Sequence, residues 1–181
     1  KSSYIKKAVK IISSSNKLVI IAGGGIKYNS KYKNVIKLAE LLKSPMVTAA
    51  GHGDAIPFGH KLNAGQMGPR GNPVASRLVK SADVILAIGT RLGFNSTFYS
   101  YENINKRAKI IQIELEKNMI GRYFPVVVGI VGDAATVADQ LCKEIKKQNI
   151  ILDVKKWTNI YLNERNKFLI KRDQIKLKNF P

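Results

Sequence analysis

Glycine clusters in this chain where short apolar runs end. Gly23-Gly24-Gly25 follows Leu18 to Ala22, Gly51-His52-Gly53-Asp54 follows Met46 to Ala49, and Gly65 to Asn72 follows Leu62 to Ala64. Gly89-Thr90-Arg91 comes after Val84 to Ile88, and Gly132-Asp133 after Val127 to Val131. A turn without Cβ atoms lets backbone N–H groups approach a phosphate or a flat ligand, and a helix starting after it adds its positive end. Each glycine alone reads as a tight turn; five glycine-bearing loops together read as binding machinery. Arg91, directly after Gly89-Thr90, is the leading candidate for an anion contact, with Arg70 second. Glu114 and Glu116 stand two apart at the end of Ile110 to Leu115, on one side of a strand. Carboxylates there hold ribose hydroxyls, cap the next turn or share acid–base work.

Reaction chemistry is sparse by comparison. A G-x-G-x-x-G turn anchored at Gly23 requires glycine at position 28, where Tyr28 stands. The second apolar run ends in Thr48, Ala49 and Ala50 without the acid that would hold a nicotinamide dinucleotide's ribose. No G-x-x-x-x-G-K-[ST] or G-x-S-x-G occurs. His52 and His60 are the only histidines and Cys142 the only cysteine, so no zinc spacing exists. Asp54 lies close enough in sequence to orient His52, although loop histidines of this kind are more often structural. Cys142 lies beside the apolar stripe of a helical pattern and reads as a small core residue. The residues therefore predict a ligand site with no catalytic residue and no metal centre.

The alternation of short apolar runs with helical patterns is the sign of parallel strands joined by crossover helices. Strands are expected at 18–22, 46–49, 62–64, 84–88, 110–115 and 127–131, with helices over about 4–15, 31–43, 73–81 and 134–147. Asn72 before Pro73, and Asp133 before Ala134, supply helix N-caps. The expected fold class is α/β, a three-layer Rossmann-like domain with a six-stranded, mostly parallel sheet and helices on both faces. In such a sheet the glycine loops all fall on the carboxyl edge, where ligands bind. Residues 1–150 form this domain. A further helical pattern over 154–172 has no strand after it and reads as a linker, within 151–181, toward another domain rather than as cover for the sheet.

The 181 residues are enough for one ordinary core, and no apolar run approaches the roughly 18 residues of a membrane span. The formal charge of +19 is uneven: five lysines and no acid in residues 1–17, and eleven bases against four acids in 143–181. The middle, residues 45–105, holds five bases against three acids. Because 24 of the 31 bases are lysine, with 22 isoleucines and 14 asparagines, the excess reads as A+T-rich coding rather than selection for phosphate contacts. A free-standing basic module for nucleic acid is the alternative reading; the charge distribution argues against it. The chain opens at Lys1 without a signal-peptide pattern, as expected of a cytoplasmic fragment.

Several of these segments resemble the central domain of thiamine-diphosphate-dependent enzymes. They are Val19 to Gly25, Pro45-Met46-Val47-Thr48, His52-Gly53-Asp54-Ala55-Ile56-Pro57, Gly89-Thr90-Arg91 and Ile110 to Glu114. Ile120 to Pro125 and Gly129 to Ala134 extend the resemblance over about residues 5–148, closest to the acetolactate synthase and sulfoacetaldehyde acetyltransferase families. The resemblance implies the middle third of a carboligase or acyltransferase, inactive alone. Its thiamine diphosphate and magnesium would be held by N- and C-terminal domains missing from this sequence. Gly132-Asp133-Ala134 lacks the third glycine of the family's metal-binding G-D-G. Some relatives bind FAD or ADP on this domain, and homo-oligomers are usual. By position, Gly23, Gly24, Gly25, Gly68, Arg70, Gly71, Gly89, Thr90, Arg91, Glu114 and Glu116 would line that cofactor site. The stretch Gly68-Pro69-Arg70-Gly71 departs from the G-M-H-G of flavin-bearing synthases, so the resemblance implies either FAD, ADP or an empty relic.

Overall fold

A computed structural model describes residues 2–28 and 31–179. Six strands form one sheet: β1 (Leu18–Ala22), β2 (Met46–Thr48), β3 (Asn63–Gln66), β4 (Val84–Ile88), β5 (Lys109–Glu114) and β6 (Val128–Val131). Every pairing is parallel and the order is β3-β2-β1-β4-β5-β6. The helices are α1 (Ser2–Ser13), α2 (Lys33–Leu42), α3 (Pro73–Ser81), α4 (Phe94–Thr97), α5 (Ala134–Lys147) and α6 (Lys155–Asn179). The sheet is parallel throughout, and the three-layer α/β expectation holds.

The central strands show why an unbroken apolar run becomes a strand here. All five residues of β1 and all five of β4 are buried, because helices cover both faces of the sheet. On one face α5 packs against α1 and α2, while α3 and α6 pack together on the other. Helix α1 buries Ile5, Ala8, Val9 and Ile12, the i, i+3, i+4, i+7 stripe of an amphipathic helix. The expected caps are present: Asn72 Oδ1 accepts from Val74 N at 2.8 Å, and Asp133 Oδ1 accepts from Thr136 N at 2.8 Å. Asp133→Ala is therefore expected to cost about 1 kcal/mol in urea unfolding, and Asp133→Asn only a few tenths, since asparagine caps as well as aspartate. An equal loss in both variants would show that the carboxylate does something other than cap.

Helix α6 corrects one expectation, because its first turns do cover the sheet. Val154, Trp157 and Tyr161 are buried in the common core. Trp157 Nε1 donates to Leu18 O at 3.0 Å, and Thr158 Oγ1 to Lys43 O at 3.1 Å. Arg77 of α3 pairs with Glu164. These contacts fall at the amino end of β1, opposite the edge where the glycine loops gather. Further along, Ile170 and Ile175 are exposed.

Candidate ligand-binding site

The order 3-2-1-4-5-6 reverses between β1 and β4, and the loops leaving these two strands must diverge to opposite faces there. A cavity of about 600 Å³ opens at that point. Its floor is Gly24, Gly25 and Gly89; Thr90 and Arg91 continue from β4, Ala49, Ala50 and His52 come from the β2 loop, and Glu114 to Glu116 from the end of β5.

Close contact between the β1 and β4 loops explains the glycines. Gly23 N donates to Ile88 O and Gly25 N to Gly89 O, both at 2.9 Å, while Gly89 N donates to Ile113 O at 2.9 Å. A Cβ on Gly25 would sit 2.7 Å from Gly89 Cα, and one on Gly23 would sit 2.3 Å from Gly89 O. Gly89 itself has φ +59°. Three of these amides stitch the sheet's edge, and glycine is required there by backbone packing. Gly24 is crowded from another side, since a Cβ there would lie 2.6 Å from His52 Cε1. Nδ1 of His52 is buried and makes no hydrogen bond among the described residues. Asp54 does not orient that ring; both its oxygens take Lys27 Nζ at 3.0 Å, and this bond lowers the Asp54 pKa.

The residues expected from sequence divide into two groups. Gly24, Gly25, Gly89, Thr90, Arg91, Glu114 and Glu116 meet around the cavity, whereas Gly23, Gly68, Arg70 and Gly71 lie outside its lining. The reason is strand order: β3 is the outer strand, two places from β1, so its loop falls short of the reversal. Gly71 N donates to Gly68 O in a tight turn that leaves Arg70 exposed. Gly68, at φ +101°, backs the cavity wall instead, where a Cβ would lie 2.7 Å from Asn95 O. Within the lining, Glu114 Oε1 accepts from Leu115 N at 2.9 Å and Glu116 is exposed.

Positioning falls to polar side chains that spacing did not single out. Gln112, buried in β5, donates through Nε2 to Thr90 O at 3.1 Å and to Met119 O at 3.3 Å, and its Oε1 accepts from Gly121 N at 2.9 Å. One amide thus fixes the β4 loop to the 119–121 loop. Ser96 Oγ accepts from Ala50 N at 2.9 Å, tying α4 to the β2 loop. A polar residue inside the run Ile110-Ile111-Gln112-Ile113 was the available signal for Gln112. Gln112→Leu keeps the volume and strands those three backbone groups, so a loss of about 2 kcal/mol is expected in urea unfolding. A neutral result would mean that the loops hold without it.

The fold and cavity define a doubly wound parallel α/β domain with its binding crevice at the strand-order reversal. Comparison with known proteins narrows that class. Residues 5–141 match the family model described as "Thiamine pyrophosphate enzyme, central domain". The chain belongs to this family of thiamine-pyrophosphate-dependent enzyme domains. It is similar to the sulfoacetaldehyde acetyltransferase of Roseovarius nubinhibens, 38% identical over 143 residues, which are 78% of this chain and 24% of the relative. Similarity to a probable acetolactate synthase large subunit of Methanococcus aeolicus is 33% over 141 residues, 78% of this chain and 23% of the relative. The acetolactate synthase large subunit of Buchnera aphidicola is 33% identical over 162 residues, 86% and 28% of the two chains. The chain thus spans about a quarter of the length of these curated relatives. Neither the fold nor these relatives support the nucleic-acid alternative. Among the described residues, no helix is long and apolar enough to cross a membrane.

Proposed function

We propose that this chain is the central part of a thiamine-diphosphate-dependent carboligase or acyltransferase whose substrate is a 2-oxo acid or sulfoacetaldehyde. The observation that carries the reading is the family match over residues 5–141, together with the quarter share of relatives that transfer acetyl groups or make acetolactate by name. Thiamine diphosphate supplies carbanion chemistry when bound. The described residues offer no site for its magnesium. The Asp133 carboxylate caps α5, and the described residues contain no cluster of three His, Cys, Asp or Glu side chains placed to hold a metal. In this reading both groups belong to other domains of the enzyme, and the chain is inactive without them.

In this reading the domain supports its neighbours, α6 beyond Tyr161 leads toward the next domain, and the enzyme is a cytoplasmic homo-oligomer. The cavity at the β1–β4 reversal takes the adenine nucleotide ADP or FAD. Gly24, Gly25, Gly89, Thr90, Arg91, Glu114 and Glu116 line it, while Gly23, Gly68, Arg70 and Gly71 act on it only through the wall and turns they support. Support comes from the cavity's position and its volume of about 600 Å³. Titrating the 181-residue chain with FAD and ADP while following fluorescence tests the cofactor part; failure to saturate with either removes it and leaves the family untouched. Reading the flanking frame tests the parent class, which requires a downstream G-D-G followed by asparagines.

A further inference from the structure

A second cavity, of about 420 Å³, lies between α2 and α5 where the two helices pack together on one face of the sheet. It shares no lining residue with the crevice. Helix α2 contributes Asn34, Lys37, Glu40 and Leu41. Across from them, α5 contributes Asp139, Cys142, Lys143 and Lys146, spaced i, i+3, i+4 and i+7 along one stripe. That stripe runs beside the one that feeds the core through Ala138, Leu141 and Ile145. Asn34 Nδ2 donates to Ala135 O at 3.4 Å and ties the two helices where both begin. The sequence suggested that Cys142 is a small core residue, but its side chain is only half-buried and borders this groove.

The charges in the groove are unevenly committed. Lys143 Nζ pairs with Asp139 Oδ2 at 2.7 Å. His60 Nδ1 accepts from Leu62 N at 3.2 Å, so its Nε2 carries the proton and donates to Glu40 Oε1 at 3.2 Å. Among the described residues neither Lys37 nor Lys146 makes an ion pair. Both nevertheless act on the thiol between them: burial pushes the Cys142 pKa up, and Lys146 and Lys37 pull against it while Asp139 adds to it. Two uncommitted ammonium groups on opposite walls repel each other, and a dianion between them relieves that repulsion.

The remaining groups say what the dianion is attached to. Lysine serves phosphate as a point charge with rotatable donors. A carboxylate has about four acceptor sites, so Glu40 and Asp139 keep capacity for hydroxyl groups while repelling a second anion. The Asn34 amide can give or accept. The volume falls within the roughly 300–1,000 Å³ of small-molecule sites and exceeds what a bare phosphate fills. We propose that the α2–α5 groove is a further ligand site that takes a phosphorylated polyhydroxy compound of sugar-phosphate size. Lys37 and Lys146 hold the phosphate, Glu40, Asp139 and Asn34 receive the hydroxyls, and the bound ligand covers Cys142.

The test uses the thiol itself. Cys142 is the only cysteine, so alkylation by iodoacetamide, followed as the mass of the intact 181-residue chain, reports this groove alone. Glucose 6-phosphate or glycerol 3-phosphate, at about ten times its Kd, is expected to slow the reaction about tenfold, because only the free chain reacts. Inorganic phosphate is expected to protect only at higher concentration, and glucose not at all. Lys37→Gln and Lys146→Gln, each compared with itself without ligand, are expected to raise the protecting Kd roughly ten- to a hundredfold with unchanged circular dichroism. Lys10→Gln, on α1 outside the groove, is expected to leave it unaltered. Phosphate protecting as well as either sugar phosphate overturns the polyhydroxy assignment. Equal protection by sulfate at matched ionic strength, protection that survives both groove variants, or silence from both sugar phosphates overturns the site and leaves the crevice untouched.

Discussion

Gly89→Ala is expected to destabilise the chain by about 3 kcal/mol and to lower its melting temperature by roughly 6–12 °C. Two costs add. Alanine at φ +59° pays for a left-handed backbone, and its Cβ would lie 2.8 Å from Gly25 Cα and 2.9 Å from Ile26 N. Both neighbours are backbone, so no rotamer change relieves the overlap. The β1 and β4 loops must separate, which breaks Gly25 N to Gly89 O and widens the cavity floor. Gly93→Ala is the matched control, because its added Cβ meets nothing within 4 Å. The measurement is the urea midpoint of both variants at unchanged slope. Equal stability in the two would mean that the loops are not in contact as described.

The Gly25–Gly89 contact also marks how far sequence could reach. β1 and β4 were readable because burial on both faces demands an uninterrupted apolar run, and Val84 to Ile88 has no other use for five such residues. Strand β3 was shifted, expected at 62–64 and found at Asn63–Gln66. Its polar residues carry no apolar signal, and its pairing with β2 shifts register between Met46 and Thr48. Helix α4 is four residues long, too short for any helical period to show. Glycine spacing is enough to put these loops on the carboxyl edge, because a parallel sheet gathers every carboxyl end there. Which loops then meet depends on strand order. Nothing in the residues says that β3 lies outermost, and so nothing says that Arg70 and Gly71 stand outside the cavity lining while Gly68 packs behind it against Asn95 and Ala50. For the same reason Tyr99 and Tyr123 could not be paired from 24 positions apart; only the adjacency of β4, β5 and β6 brings their loops together.

Trp157→Ala is expected to be the most damaging substitution, costing about 4 kcal/mol. Trp157 is the sole tryptophan and is 6% exposed, seated at the amino end of β1. Truncation removes its ring from the core and its N–H from Leu18 O. That carbonyl also accepts from Ser44 Oγ at 3.0 Å, so Trp157→Phe, which keeps most of the packing, is expected to lose only about 1 kcal/mol. The comparison separates the ring's contribution from the hydrogen bond's. A helix that served only as a connection would tolerate both changes, and a cost under about 1 kcal/mol for Trp157→Ala would show α6 to be peripheral. One turn on, Tyr161 supplies an independent readout. Burial pushes its pKa up to about 12. Its folded-state pKa exceeds the unfolded value of about 10, so its contribution is complete below pH 10 and is lost as pH rises toward 12. Stability of the native chain should therefore fall over that window more steeply than in Tyr161→Phe, and tryptophan fluorescence should report the same transition as circular dichroism, because helix and sheet share one core.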